Sequence, residues 1–183
     1  MDKISLFKAF LSNPRETGSL IPSSLRLIER MTKGISKGES VVELGAGTGC
    51  ITKYINKSTD NSFYIYENNR TFNEELRNLN LFPKENIKLN AFDIDNDHAG
   101  SSIDLIVSSL PLFNFSCKER LELLKKSAYI LKPNGRFIMF TYKFSFPIDS
   151  SELETIGLHI LNKEIVWLNF PPATVFTLHK GSV

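Results

Sequence analysis

An α/β fold built on a largely parallel sheet is predicted for this chain by three observations. Short β-branched or aromatic runs alternate with amphipathic helical runs through the middle of the sequence. The first of these runs ends in a glycine-rich turn at residues 45–49. Three acids, Glu43, Glu67 and Asp93, stand at or just beyond the ends of the first three strand-like runs. Right-handed crossovers would bring all three run ends to one edge of the sheet.

The elements follow in order. Residues 40–44 (SVVEL) form a short strand and residues 50–57 a helix. Residues 62–66 (SFYIY) form the second strand, and residues 71–80 a helix with Phe72, Leu76 and Leu79 on one face. Residues 86–89 and 103–107 read as further strands. Residues 116–130 read as a helix opened by a capping box, Ser116-x-x-Glu119. Residues 135–142 (GRFIMFTY) are a strong strand. In the tail, residues 159–167 and 173–179 form two strands split by Pro171-Pro172, too close for a helical crossover and therefore antiparallel.

The N-terminal 38 residues are helical in another way and are expected as an amphipathic extension of a domain spanning residues 39–183. Ile4, Leu6, Phe7, Phe10 and Leu11 fall within an arc of about 160° on a helical wheel. Asn13-Pro14 stops that helix. Residues 23–33 form a second helix with Leu27, Ile28 and Met31 on one side. Residues 1–38 hold seven Lys/Arg against three Asp/Glu, a net +4, in a chain whose total is +2. A basic end of this kind suits an anionic partner.

Composition narrows the class. With 183 residues, 42% hydrophobic and 23% charged, the chain matches one globular domain. No apolar run reaches the roughly 18 residues of a membrane span. Two cysteines, Cys50 and Cys117, and three scattered histidines suit neither a disulfide framework nor a metal centre. A reducing cytoplasm and a metal-free site are the expectation.

The segment VVELGAGTG, residues 41–49, carries the most chemistry. Glycines at 45, 47 and 49, with Ala46 between, let the backbone turn sharply and approach a ligand. The spacing is G-x-G-x-G; a dinucleotide G-x-G-x-x-G would need Gly or Ala where Cys50 stands. Glu43 precedes the turn, where a carboxylate would repel a pyrophosphate and suits a cation. Both details favour S-adenosylmethionine over a nicotinamide cofactor. Glu67, 24 residues on and followed by Asn68, is placed to accept two ribose hydroxyls. Asp93 would accept an adenine amino group while Ile94 packs on the ring.

These residues, with YIYEN, NAFDI, DLIVSSLPL and LKPNGRFIMFTY in that order, resemble the class I S-adenosylmethionine-dependent methyltransferases over residues 40–142. The resemblance implies a Rossmann-like seven-stranded sheet with an antiparallel C-terminal hairpin, helices on both faces, and Ser108 beside the cofactor. A narrower resemblance, carried by FLSNPRETGSLIPSS (10–24), LPLFNF (110–115), MFTY (139–142) and VWLNFPPATVF (166–176), is to the bacterial phospholipid N-methyltransferases. It implies stepwise methylation of phosphatidylethanolamine toward phosphatidylcholine. The chain departs from that family's S-G-L-P-L pattern, having Ser109 in place of glycine.

On this reading Tyr142 is the catalytic candidate, because it ends a central strand at the ligand edge. Leu110, Phe113, Phe115, Tyr142 and Trp167 are the substrate-binding candidates, with Phe144 a further aromatic; aromatic faces stabilise the methylated cation. Lys3, Ile4, Phe7, Lys8 and Phe10 would dock the N-terminal helix on an anionic membrane surface. The expected location is the cytoplasm, at the inner leaflet of its membrane, with no nucleic-acid partner. Alternatives are an N-methyltransferase of another lipid, such as an ornithine lipid, or of a small amine; an RNA adenine N6-methyltransferase, disfavoured because Leu112 after Pro111 cannot stack on a base; and a non-catalytic S-adenosylmethionine-binding peripheral protein.

Overall fold

The computed structural model describes residues 24–181. The chain runs α1 (Leu25–Thr32), β1 (Val41–Leu44), α2 (Thr52–Ser58), β2 (Phe63–Tyr66), α3 (Arg70–Asn78), β3 (Ile87–Lys88), α4 (Ile94–Asp97), β4 (Ile103–Ser108), α5 (Cys117–Ile130), β5 (Leu131–Thr141), α6 (Ser150–Thr155), β6 (Leu158–Val166) and β7 (Ala173–Lys180). One seven-stranded sheet has the order β3-β2-β1-β4-β5-β7-β6. The first five strands are parallel, and β7 runs antiparallel between β5 and β6.

β1 is central because every one of its residues is buried. Val41 faces Phe63 of β2 on one side and Leu105 of β4 on the other. A strand covered on both faces reads as a continuous apolar run, and only Glu43 interrupts it. Alternating side chains supply two cores. On one face Val42, Leu44, Ile106, Phe137 and Met139 meet Leu123 and Leu124 of α5. On the other, Val41, Leu105, Val107, Ile138 and Val175 meet α1, α2 and α3.

Local signals hold where they are strong. Ser116 and Glu119 close the capping box in both directions, at 2.7 and 3.3 Å. Ser24 caps α1 by accepting the Leu27 N–H at 3.2 Å. Leu27, Ile28 and Met31 are buried in the second core, as their shared stripe required. Arg136 of β5 ties the α1–β1 connection down through Gly34 O (3.0 Å) and Glu39 (2.8 Å).

Three details differ from expectation. β5 starts at Leu131, not at residue 135, because Leu131 pairs with Ile103 before residues 132–135 bulge out and Arg136 resumes beside Leu105. The six-residue α6 buries only Leu153, so it offers no stripe to read. On α3, Asn73 and Leu76 are the buried positions, while Phe72 and Leu79 are half-buried. Asn73 goes inside because its amide donates to Glu67 O and Lys88 O, each at 3.0 Å, joining the ends of β2 and β3. The expected helix over residues 2–11 lies outside the described residues.

Because Leu27 is fully enclosed, Leu27→Ala should cost about 2–5 kcal/mol of stability. Urea titration checks this; a loss below the range would mean that α1 is not integral to the core.

Candidate active site

All the loops that follow parallel strands emerge at one sheet edge, and the candidate residues gather there. The turn after β1 is held from beneath by backbone bonds: Gly45 N–H donates to Tyr66 O at 2.8 Å and Gly49 N–H to Ala46 O at 3.0 Å. Gly45, Gly47 and Gly49 all have positive φ. At Gly45 (φ +76°) a Cβ would also stand 2.9 Å from Leu110 Cδ2, so the leucine of the loop after β4 would have to shift to make room.

Glu67, just past β2, cross-links the edge. Oε2 accepts the Gly47 N–H and Oε1 the Asn69 N–H, both at 2.7 Å. Each carboxylate oxygen keeps a further lone pair, so two ribose hydroxyls still find acceptors. Asn69 serves twice, since its side chain caps α3 by accepting from Thr71 N–H and Phe72 N–H. Its neighbour Asn68 is exposed.

Glu43 is fully buried and neither carboxylate oxygen has a hydrogen-bond partner. Burial pushes its carboxyl up to about 8; the nearby Thr52 hydroxyl tempers the rise without reaching hydrogen-bond geometry, and the negative charge of Glu67 adds to it. A buried, unpartnered acid below a glycine turn is what a cationic ligand would neutralise.

The other predicted positions divide. Asp93 is exposed, holding the Asn90 amide at 3.0 Å, at the turn that opens α4. Ile94 is fully buried in the core with Tyr66, so it supports this turn from behind. Ser108 is buried and its hydroxyl accepts the Leu110 N–H at 3.3 Å, shaping the turn after β4. Leu112 faces the core, while Phe113 and Phe115 are half-buried, Phe115 against Phe92 at 5.8 Å. Tyr142 follows β5, packs edge-on against Phe140 at 5.6 Å, and adjoins Asn169. Burial raises its hydroxyl pKa and the Asn169 hydrogen bond opposes the rise. Phe144 and Trp167 are exposed. Lys3, Ile4, Phe7, Lys8 and Phe10 lie outside the described residues.

Sequence reasoning missed four participants. Asn69 carried a signal, an asparagine at a strand-to-helix junction. Asn73, Thr52 and Asn169 carried none, because their roles depend on what the fold sets opposite them.

With this geometry established, comparison places the chain. Residues 42–139 match the family model described as methyltransferase domain, and the chain belongs to that family. No curated protein matches it. Among solved structures, an S-adenosylmethionine-dependent methyltransferase from Aquifex aeolicus shares 17% identity over 98% of this chain and 99% of its own, with a TM-score of 0.65. A 1,6-didemethyltoxoflavin-N1-methyltransferase from Burkholderia thailandensis, solved with S-adenosylhomocysteine, shares 16% over 97% and 87%, with a TM-score of 0.68. An S-adenosylmethionine-dependent methyltransferase from Mesorhizobium loti shares 16% over 84% and 95%, at 0.62.

The protein is an S-adenosylmethionine-dependent methyltransferase with the Rossmann-like fold of that class. Its residues fit the cofactor: the glycine turn leaves open backbone, the buried Glu43 oxygens carry no internal hydrogen bond, and Glu67 retains acceptor capacity. When bound, S-adenosylmethionine supplies an electrophilic methyl on a sulfonium. Gly45, Gly47, Gly49 and Glu43 would hold its methionine end, Glu67 its ribose and Asp93 its adenine.

Two outcomes follow. If only ionised Glu43 accepts the cationic cofactor, affinity should rise by on the order of tenfold between pH 6.5 and 8.5, and Glu43→Gln should flatten the profile. A flat wild-type profile by calorimetry would place Glu43 away from the cation. The folded carboxyl also holds its proton to a higher pH than the unfolded one. This group's contribution to stability therefore falls as pH rises from the ordinary carboxylate range toward 8. Glu43→Gln should remove that fall, measured as Tm at pH 6 and pH 9.

Proposed function

We propose that the chain methylates the amine of a phospholipid headgroup, phosphatidylethanolamine toward phosphatidylcholine, at an anionic membrane surface. The observation that carries this reading is an apolar rim beside Tyr142. Trp167, Leu168 and Phe170 are 67%, 77% and 65% exposed on the turn between β6 and β7. Between them Asn169 is only 4% exposed and is held by Pro171 O at 2.7 Å and Ser24 N–H at 3.2 Å. The buried asparagine thus anchors a turn that presents three large apolar side chains to solvent, next to Tyr142, the residue that follows β5. An amphiphilic acceptor would meet such a rim before its headgroup reached the site. The motifs shared with phospholipid N-methyltransferases support the same acceptor.

The headgroup amine is mostly protonated near neutrality, by analogy with lysine near 10.4, and must shed a proton to become a nucleophile. The raised pKa keeps the Tyr142 hydroxyl neutral, so it acts as a hydrogen-bonding guide for the amine and not as an anionic base. Partial burial of the site disfavours the ammonium form and assists proton loss to solvent. Proximity supplies much of the remaining rate.

Among the described residues no helix is long and apolar enough to cross a membrane. On this reading contact with the bilayer falls to the rim and to Lys3, Ile4, Phe7, Lys8 and Phe10 of the N-terminal segment. Deleting residues 1–11 should weaken flotation with anionic vesicles while leaving cofactor affinity within a few-fold; unchanged flotation would remove the segment from the membrane contact.

Pure protein with labelled S-adenosylmethionine should methylate phosphatidylethanolamine in preference to ornithine lipid, RNA or small amines. Label entering RNA or small amines alone would overturn the lipid assignment. Tyr142→Phe should lower kcat by about tenfold or more with little change in cofactor affinity. Unchanged turnover would return Tyr142 to core packing.

A further inference from the structure

We propose that Lys143 is the anion-recognition residue of the acceptor site, its ammonium binding a phosphate that stands two carbons from the amine to be methylated. The inference rests on the reading of the chain as a headgroup amine methyltransferase and names the residue that would read the phosphate.

Lys143 directly follows Tyr142 and is exposed. Its Nζ lies 4.1 Å from the ring centroid of Phe113. Phe113 belongs to the turn after β4 that also sends Leu110 onto Gly45, so this ammonium stands on the acceptor side of the cofactor loop. A second cation borders the same ring, with the Arg120 guanidinium carbon 5.6 Å from its centroid. Arg120 is fixed there: Nε donates to Phe115 O at 2.9 Å, one terminal nitrogen to Pro147 O at 2.9 Å and the other to Phe113 O at 3.3 Å.

Two cations converge on the ring of Phe113 with no acid paired to either. Arg26, Arg30, Lys88, Lys126, Lys132 and Arg136 each have a carboxylate within 4.0 Å. Lys143 and Arg120 belong to the described cations that have none, and these two meet at one aromatic ring. Carbonyl dipoles occupy the guanidinium, and an aromatic face alone occupies the ammonium. An exposed cation held only by a ring face gains more from a phosphate oxygen, where the hydrogen bond is charge-assisted. A zwitterion with phosphate and amine close together answers both needs. The Lys143 side chain has the freedom to swing to the phosphate, and the vacated face of Phe113 then receives the headgroup cation next to Tyr142. A lone amine satisfies only the second contact. The site therefore selects phosphorylethanolamine chemistry, whether it comes from a lipid headgroup or from the free phosphate ester.

Binding to the full chain loaded with S-adenosylhomocysteine tests this without turnover. O-phosphoethanolamine should bind at least about tenfold more tightly than ethanolamine. Lys143→Gln should erase that preference, Lys143→Arg should restore most of it, and neither should move S-adenosylhomocysteine affinity by more than about twofold. Raised salt should weaken the wild-type preference and leave Lys143→Gln unaffected. Lys143 is exposed, and the unchanged cofactor affinity reports directly on folding. A wild-type protein without the preference, or a glutamine variant that retains it, overturns the proposal. Dioleoylphosphatidylethanolamine vesicles in the same series separate the sources: KM rising about tenfold in Lys143→Gln with kcat little changed supports the lipid headgroup. The preference for O-phosphoethanolamine with no methyl transfer to the vesicles keeps the anion site and rejects the lipid reading alone.

Discussion

The carboxylate of Glu67 takes the N–H groups of Gly47 and Asn69, and through them it sets the spacing between the turn after β1 and the start of α3. That link organises the cofactor edge. Both bonds are short and nearly buried, so they act in a medium where a charge-assisted hydrogen bond is strong. The backbone of the same residue is held as well, its carbonyl by Asn73 and its N–H by Lys88 O at 3.0 Å. An acid fixed at four points can present its remaining lone pairs to a ligand with little loss of freedom on binding. Remove the link, and the glycine turn loses the partner that holds Gly47 against the end of β2.

Glu43 and Glu67 illustrate how one edge gives two acids different roles. Glu67 has its hydrogen bonds inside the protein and serves as a rigid acceptor. Glu43 has none, sits on the central strand, and is pushed toward neutrality by burial. An unsatisfied buried acid costs stability in the absence of a ligand. A cation bound at this strand end would offset that cost. At Phe113 the charge has the opposite sign, since Lys143 and Arg120 gather around the ring with no carboxylate within 4.0 Å among the described residues.

Much of this was legible because the signals were local. The alternation of runs, the Ser116–Glu119 box and the Leu27/Ile28/Met31 stripe each express a short-range periodicity or hydrogen bond, and each appears in the fold. The spacing of residues 45–49 was equally plain, because positive φ at three alternate positions leaves few residues other than glycine. Asn73 was not legible. Its α3 face reads as Phe72, Leu76 and Leu79, yet a polar side chain goes inside because two carbonyls from separate strands converge on it. Ile94 is the converse, an apolar residue beside a candidate ligand acid that the fold turns into the core.

Sequence alone determined the parallel sheet, the glycine turn and the three acids at successive strand ends, since these depend on backbone geometry and on residues near one another in the chain. It also singled out Tyr142 as the end of a strong strand. Tertiary structure decided what those residues meet. Only the packing of β4 beside β1 sets Leu110 on Gly45, and only the return of β6 and β7 brings Asn169 to Tyr142 with Trp167, Leu168 and Phe170 around it. The balance of charge at Phe113 likewise depends on α5 and the end of β5 converging on one ring. Such contacts join positions dozens of residues apart, where periodicity and spacing carry no information, because the folded chain and not its neighbours in sequence supplies the partner.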